Sequence, residues 1–204
     1  MSPALELGLG WLNGWVLILL ICLTYGLLLV LFPKDVVARL YGYDKSRWTK
    51  KERTFAHIRK LLGLAYFALI TLTPLKIGSS IFIAGILLYA IGLAGFVFAL
   101  FNFRCTPVDR PATRGLYRVM LHPQALMFYV AFLGISLAIG SAPALSLTIV
   151  FSIFVHFRNL GEERACLEKY GDSYRAYIER VARYSLFIVE TIAVLALIYL
   201  LLAS

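Results

Sequence analysis

Residues 121–157 carry no Asp, Glu, Lys or Arg and read LHPQALMFYVAFLGISLAIGSAPALSLTIVFSIFVHF. Two apolar runs, 121–140 and 144–157, make up this stretch, and only Ser-Ala-Pro at 141–143 lies between them. Neither run alternates strictly between polar and apolar residues, as a strand of a membrane barrel would. A backbone in lipid must satisfy its own hydrogen bonds, which leaves the helix as its structure. The stretch therefore predicts a tight hairpin of two membrane helices.

The composition of the whole chain agrees with this interpretation. Of the 204 residues, 61% are apolar and 15% are charged, and the mean hydropathy is +0.82. A soluble domain carries about 25% charged and about 45–50% apolar residues. The composition therefore excludes a water-soluble globular protein, a disordered chain and a disulfide-stapled secreted module, and it indicates one integral membrane domain over 1–204. The three cysteines, Cys22, Cys105 and Cys166, are dispersed, which predicts neither a disulfide framework nor a paired-cysteine metal site.

Further apolar runs extend the hairpin to an all-α, polytopic bundle with six transmembrane helices. A span needs about 20 predominantly apolar residues, and Pro33 ends the first run while Pro74 interrupts the second. The six predicted spans are 11–32, 61–75, 80–103, 121–140, 144–157 and 185–203. The single domain is expected to contain N-terminal spans with a basic loop over 1–100, a catalytic region over 101–184 and an additional C-terminal span over 185–204.

Lys and Arg residues are confined almost wholly to one set of loops. Of the 20, nine lie in 34–60, four in 104–118 and six in 158–183, and only Lys76 lies in a loop of the opposite set. Because cytoplasmic loops carry the excess of Lys and Arg, we predict that these three segments are cytoplasmic and that both termini lie outside. The segment 34–60 also contains aromatic and aliphatic residues. It is either an interfacial amphipathic helix on anionic headgroups or a solvated loop whose charges set the topology.

A cytoplasmic helical cap is predicted over 158–182. Arg158 and Glu162 are four residues apart, so they share one helical face, and their helix is expected to continue out of the membrane. Gly171 favours a helix end, and Asp172 or Ser173 favours a new helix start. Beyond Glu162, apolar and aromatic residues recur with helical spacing, which favours packing. This stripe comprises Leu167, Tyr170, Tyr174, Tyr177 and Val181.

The pair His122-Pro123 marks the start of the fourth span. Proline fits the first turn of a helix because its missing N–H has no helical partner there. The imidazole is then expected at the membrane surface beside a helix N-terminus, which favours anions. Taken alone, the pair is better explained as a helix-start signal, and Arg158 with Glu162 as an intrahelical salt bridge.

Taken together, these motifs form an ordered series. It contains a Gly-Leu-Tyr turn at 115–117, His122-Pro123, the helical hairpin, Arg-x-x-x-Glu-Glu at 158–163 and Tyr-Gly-x-x-Tyr-x-x-Tyr at 170–177. The series resembles the isoprenylcysteine carboxyl methyltransferase family, which is related to the phospholipid N-methyltransferases. The resemblance covers residues 101–184. It implies methyl transfer from S-adenosylmethionine to a lipid-like or prenylated acceptor at the cytoplasmic face of a membrane.

The resemblance also implies roles for residues at matching positions. Arg158 is expected to face the methyl acceptor, and Glu162 to bind the amino group of the cofactor. A carboxylate acceptor needs no general base, whereas an amine must first lose a proton, and Glu163 is the nearest candidate for that base. Residues 109–112 match a stretch that adds contacts to the cofactor. The implied cofactor-binding residues are Asn102, Tyr117, His122, Pro123, Gln124, Ala125 and Glu162.

Two residues depart from the pattern of the family. Leu121 stands where the family usually has Arg, and Ala125 stands where it usually has Tyr. The loss of a cation and an aromatic ring would weaken cofactor binding or change the shape of the pocket. We hypothesise that Arg118 supplies the missing charge, in which case Arg118→Ala would weaken cofactor binding much more than Arg114→Ala.

Two other functions fit parts of the sequence. Membrane reductases of the sterol-reductase type, which use a nicotinamide cofactor, share a related C-terminal pattern. A non-enzymatic haem or metal protein would use His122 with His156, but no carboxylate accompanies them at ligand spacing. We expect a lipid bilayer and a lipid-like or prenylated substrate as partners, and no nucleic acid, while the oligomeric state stays open. Glu190 is either a functional intramembrane carboxylate or an interfacial partner of Arg180 or Arg183.

Overall fold

Helices dominate the computed structural model of the chain, which describes residues 8, 10–42, 49–107 and 109–182. In these ranges seven α-helices and one 3-10 helix occur and no strand does, which confirms the predicted all-α class there. The 3-10 helix covers Gly115–Arg118. The α-helices are α1 (Trp15–Leu31), α2 (Lys34–Tyr41), α3 (Lys50–Leu72), α4 (Ser80–Arg104), α5 (Pro123–Ala138), α6 (Ala142–Tyr170) and α7 (Asp172–Ile178).

Five of the six predicted spans coincide with α1, α3, α4, α5 and α6, and the sixth lies outside the described residues, as does Glu190. Three of these helices, α3, α4 and α6, are long and apolar enough to cross a membrane. α1 and α5 are apolar but have 17 and 16 residues. A helix rises about 1.5 Å per residue, so α1 and α5 are each shorter than the hydrocarbon core, which is about 30 Å thick. The six-span topology therefore stays a prediction.

The helix that contains the second predicted span, α3, begins eleven residues before the apolar run 61–75. α3 starts at Lys50 because Thr49 and Glu52 form a capping box, in which each side chain accepts a hydrogen bond from the backbone N–H of the other residue. Within the segment 34–60, residues 34–41 form the amphipathic helix α2 and residues 50–60 belong to α3. The alternative of a solvated loop is therefore wrong for these two parts.

α4 and α5 are antiparallel and form the most extensive helix pair of the described residues. A Cβ atom at Gly92 of α4 would collide with the backbone of Ala131, and one at Gly134 of α5 would collide with the backbone of Tyr89. Small residues let helix backbones approach this closely in membrane proteins. The pair fixes the start of α5 beside the end of α4, which is where the candidate site lies.

Buried hydroxyl groups connect α1, α3 and α6 to this pair. The Tyr66 hydroxyl of α3 donates to the carbonyl of Phe132 in α5 at 2.9 Å and lies 3.1 Å from Ser136 Oγ. Ser136 Oγ lies 3.1 Å from Thr148 Oγ1 of α6. The Tyr89 hydroxyl of α4 donates to the carbonyl of Leu17 in α1 at 2.8 Å. Each bond satisfies a polar group that would otherwise be buried without a partner.

The predicted hairpin is confirmed, with a small shift in its turn. α5 ends at Ala138 and α6 begins at Ala142, so the connection is 139–141 rather than 141–143. Pro143 lies in the first turn of α6, where its missing N–H is tolerated. Ser141 caps the helix by accepting from the N–H of Ala144, and Gly140 takes a positive φ of 59° in the turn.

α6 continues without a break to Tyr170, thirteen residues past the end of its apolar run, as predicted. It ends at Gly171, whose φ of 55° favours glycine, and α7 starts at the next residue. Tyr174 and Tyr177 of α7 are buried against Leu121, and the other three members of the predicted stripe pack around them. The stripe packs together, as the sequence favoured, and its three tyrosines also line the cavity described below.

Candidate active site

The site forms where α6 passes the 3-10 helix and the start of α5. Because α6 is one continuous helix, residues 158–163 are held rigidly by the span that precedes them. Opposite them, Gly115 takes a positive φ of 58° and starts the 3-10 turn. His122 precedes the first residue of α5 and Pro123 opens that helix, as the sequence predicted.

His122 and Glu163 join these two regions directly. Nε2 of His122 lies 3.0 Å from Oε1 of Glu163, and the two side chains are only 8% and 6% exposed. A buried carboxylate requires such a partner, because an isolated charge in a low-dielectric interior is strongly disfavoured. The pair shows that the motifs at 115–123 and 158–163 meet at one place, although about forty residues separate them in the chain.

Arg158 and Glu162 occupy the more accessible face of the same turn of α6. Nη2 of Arg158 lies 3.3 Å from Oε2 of Glu162, and their side chains are 46% and 40% exposed. An i,i+4 ion pair at this exposure contributes only about 0.3–0.5 kcal/mol. Both side chains are therefore free to exchange this contact for stronger contacts with a bound molecule.

Tyr117 connects the 3-10 turn to α5 and α7. Its buried hydroxyl accepts a hydrogen bond from Nε2 of Gln124 at 2.8 Å, and its carbonyl accepts one from the Tyr177 hydroxyl at 2.6 Å. Burial, and then the negative charge of Glu162, raise the pKa of Tyr117 well above its usual value. The hydroxyl is therefore neutral and lies within the field of the Glu162 carboxylate.

Asn102 lies near the end of α4 and packs against the 3-10 turn. A Cβ atom at Gly115 would collide with the Asn102 side-chain amide, so glycine is required there for space as well as for φ. Nδ2 of Asn102 is buried and has no hydrogen-bond partner within the described part of the chain. Buried polar groups are normally paired, and an orphaned donor next to a site is consistent with a ligand that accepts from it.

A cavity of about 1290 Å³ lies between these regions and the long helices. Typical small-molecule pockets have about 300–1,000 Å³, so this cavity is larger than one cofactor requires. Its polar end is lined by Tyr117, His122, Gln124, Ala125, Arg158 and Glu162. Its apolar end is lined by side chains of five helices, among them Ile18, Phe67, Phe96, Phe128 and Phe132. Three of the predicted site residues are not on its wall, namely Asn102, Pro123 and Glu163.

The family model for phospholipid methyltransferases matches residues 68–173, which is more than half of the chain. The chain belongs to the phospholipid methyltransferase family. This family includes the isoprenylcysteine carboxyl methyltransferases, so the resemblance found in the sequence is confirmed. No curated protein and no solved structure matches the chain. Together with the three long apolar helices, the family indicates an integral membrane methyltransferase and does not favour the reductase alternative.

The two departures from the family pattern have structural explanations in this methyltransferase. Leu121 is buried against Tyr174 and Tyr177, where an apolar side chain fits and a cation would be desolvated. Ala125 lines the cavity, so its small side chain enlarges that wall. Arg118 is exposed and does not line the cavity, so its geometry lends no support to the hypothesis that it replaces the missing charge.

Arg39 of α2 is a site residue that the sequence did not reveal. Its Nη1 donates to the carbonyls of Thr106 and Pro107 at 3.0 Å each, and its Nη2 donates to the carbonyl of Arg110 at 2.8 Å. The guanidinium also lies 4.5 Å from the ring centroid of Phe103 and lines the cavity. Arg39 thereby fixes the loop after α4, part of which forms the cavity wall. No local sequence signal identifies a contact between residues this far apart.

The haem or metal alternative gains no candidate ligand set from the geometry. His122 is bound to Glu163, and His156 lies on the cavity wall. Within the described ranges, no three side chains of His, Cys, Asp or Glu are grouped in a way that would hold a metal ion.

Proposed function

We propose that this methyltransferase transfers a methyl group from S-adenosylmethionine to a lipid-like or prenylated acceptor at the cytoplasmic face of a membrane. The observation that carries the proposal is the single cavity, in which a polar end at the two motifs is continuous with an apolar end between the long helices. A polar cofactor and an apolar acceptor require such a pair of environments at one point. The predicted cytoplasmic position follows from the concentration of Lys and Arg in the loops on this side.

The residues of the polar end fit the cofactor. S-adenosylmethionine has a carboxylate, an ammonium group and a sulfonium cation, and when bound it supplies an activated methyl group. Glu162 would hold the ammonium through a charge-assisted hydrogen bond. The N-terminus of α5 at His122, Pro123 and Gln124 would favour the carboxylate. Tyr117 and Ala125 line the wall, and the buried amide of Asn102, which is not on the wall, packs against the 3-10 turn that carries Tyr117.

Arg158 would orient the acceptor, and its place on the cavity wall beside Glu162 supports this role. Methyl transfer is an in-line displacement, so alignment of the reacting atoms and exclusion of water are the main contributions of the protein. A carboxylate acceptor would be held by Arg158 without any general base.

Glu163 takes a less direct role than its sequence position suggested. It is buried behind His122, and only His122 reaches the cavity wall. If the acceptor is an amine, His122 is the group placed to receive its proton, and Glu163 would orient the imidazole and stabilise its charged form. Glu163 is therefore proposed as a positioning residue for His122.

Titration of the purified protein with S-adenosylhomocysteine and NADPH tests the proposal. We expect S-adenosylhomocysteine to bind the wild-type protein and NADPH not to compete with it. Glu162→Gln should weaken this binding about ten- to hundredfold, the loss expected for one charged hydrogen bond. Glu179→Gln, at an exposed position away from the cavity, is the matched control and should bind as the wild type does.

Turnover is tested separately from cofactor binding. Membranes that contain the protein are incubated with methyl-labelled S-adenosylmethionine, and labelled lipids and small molecules are identified by mass spectrometry. Arg158→Ala should remove labelling and leave S-adenosylhomocysteine binding intact, whereas Arg180→Ala, at an exposed position, should leave both intact. Full activity in both Glu162→Gln and Arg158→Ala, or tighter binding of NADPH than of S-adenosylhomocysteine, would contradict the proposal.

A further inference from the structure

Arg59 on α3 is a cavity residue that lies outside the stretch matched by the family. It is half-buried, and its side chain makes no hydrogen bond or ion pair with any residue that the structure describes. The other arginines on the cavity wall are each engaged. Arg39 donates to three carbonyls, Arg158 pairs with Glu162, and Arg164 pairs with Glu52.

Arg59 and Arg158 face the same space. Both line the large cavity and a small pocket between α3 and α6. Aromatic packing holds the two helices together at this level. The ring of Phe55 lies 5.7 Å from that of Phe154 and 4.8 Å from that of Phe157, measured between centroids.

The one carboxylate on the small pocket is already engaged. Glu52 accepts from the backbone N–H and the hydroxyl of Thr49 and also pairs with Arg164. It therefore does not neutralise Arg59. Arg59 therefore adds to the cavity wall a positive charge that has no ion-pair partner among the described residues, and planar guanidinium groups bind carboxylate and phosphate oxygens well.

We propose that Arg59 and Arg158 form an oxyanion subsite, in which Arg59 selects acceptors whose apolar chain carries a carboxylate or phosphate headgroup. This inference rests on the proposed function, because it takes the cavity to be the site of the acceptor. The apolar end of the cavity holds the chain, and the two arginines hold the anion next to the atom that is methylated. An acceptor with a neutral headgroup leaves Arg59 without a partner, so it binds more weakly than an anionic acceptor with the same chain.

The test uses three amphiphiles with the same chain, namely hexadecyl phosphate, palmitate and hexadecanol. Each is titrated into the purified full-length protein in a neutral detergent, with and without S-adenosylhomocysteine. We expect the wild type to bind at least one of the two anionic probes more tightly than hexadecanol. Whichever anion binds more tightly identifies the headgroup.

Arg59→Ala should weaken the binding of the preferred anionic probe about ten- to hundredfold and leave hexadecanol binding unchanged. Unchanged hexadecanol binding also shows that the variant has kept its cavity. Arg59→Lys should retain part of the preference because it keeps the charge without the planar fork. Lys60→Ala removes one charge from the adjacent, exposed position and should behave as the wild type does.

Three results of the titrations with the amphiphiles would overturn the inference. They are equal binding of all three probes by the wild type, an equal loss for hexadecanol in Arg59→Ala, and a loss in Lys60→Ala as large as that in Arg59→Ala. Inorganic phosphate should displace hexadecyl phosphate only weakly, and displacement at equal concentration would overturn the assignment to an amphiphile. If the wild type fails to bind S-adenosylhomocysteine but keeps its preference for anions, the proposed function fails and the subsite stands.

Discussion

Replacement of Arg39 should weaken cofactor binding although no sequence motif includes this residue. The guanidinium forks between three backbone carbonyls at 106, 107 and 110. This loop leads directly to Pro111 and Ala112, which lie on the cavity wall near Tyr117. In Arg39→Ala the loop loses the only side-chain donors that α2 supplies to it among the described residues. Part of the binding free energy of the ligand must then be used to order the loop, so the affinity falls.

The structure sets the size of this effect. A hydrogen bond from a charged donor is worth about 1.5–3 kcal/mol when water does not replace it. The contact with Thr106 is partly buried, whereas those with Pro107 and Arg110 are exposed, so water restores most of what the latter two lose. Only the bond to Thr106 is therefore lost without replacement. We expect Arg39→Ala to lose about 1.5–3 kcal/mol of binding free energy, which is an about ten- to hundredfold weaker affinity for S-adenosylhomocysteine.

Arg39→Lys separates geometry from charge. One ammonium group keeps the positive charge but does not span carbonyls on both sides of the fork. We therefore expect Arg39→Lys to bind S-adenosylhomocysteine nearly as weakly as Arg39→Ala, by calorimetry, and to show the same faster hydrogen exchange over 105–112. Lys34→Ala, which removes an exposed charge from the same helix, is the control. Wild-type affinity in Arg39→Lys, or unchanged exchange of the loop in Arg39→Ala, would refute the reasoning.

Three further predictions concern packing, the turn and pH. Gly92→Ala should lower the free energy of unfolding by about 1–3 kcal/mol through overpacking against α5, whereas Gly26→Ala, which meets open space, should leave the thermal midpoint unchanged or raise it. Gly115→Ala and Gly171→Ala should both lose stability at a positive φ, but only Gly115→Ala should weaken S-adenosylhomocysteine binding, because it alone displaces Asn102. Burial raises the pKa of Tyr177 in the folded protein, so the unfolded chain loses this proton first as the pH rises through about 10. Stability should therefore fall above that pH, and less steeply in Tyr177→Phe, when thermal midpoints are compared across the pH range.

The local order of the fold was predictable because it depends on signals within a few residues. The uncharged runs predicted the hairpin of α5 and α6, and His122-Pro123 predicted the start of α5. Gly171 predicted the break between α6 and α7, because glycine readily takes the positive φ that ends a helix. The early start of α3 also had a local signal, the Thr-x-x-Glu pattern at 49–52. A hydropathy criterion overlooks it because the first turns of α3 are charged.

The site was only partly predictable, because a side chain's direction depends on the whole bundle. Glu162 and Glu163 are adjacent in sequence and about 100° apart on the helix, and the sequence does not say which one faces the cavity. In the structure Glu162 reaches the wall and Glu163 is buried against His122. Arg39 and Arg59 lie before the matched stretch, and only the fold brings them to the site.

These positions divide the site between two parts of the chain. The stretch matched by the family supplies the motifs at 115–123 and 158–163, which the proposed function assigns to the cofactor and the reacting atom. Residues before it supply Arg39, which supports the wall, and Arg59, whose charge is unmatched among the described residues. The proposed subsite joins the two parts, because Arg158 of the matched stretch and Arg59 before it both line the cavity. If the proposed subsite holds the headgroup, exchanges at the cavity-lining positions of α3 should change which amphiphile is bound, while S-adenosylhomocysteine binding persists because Arg39 of α2 is kept.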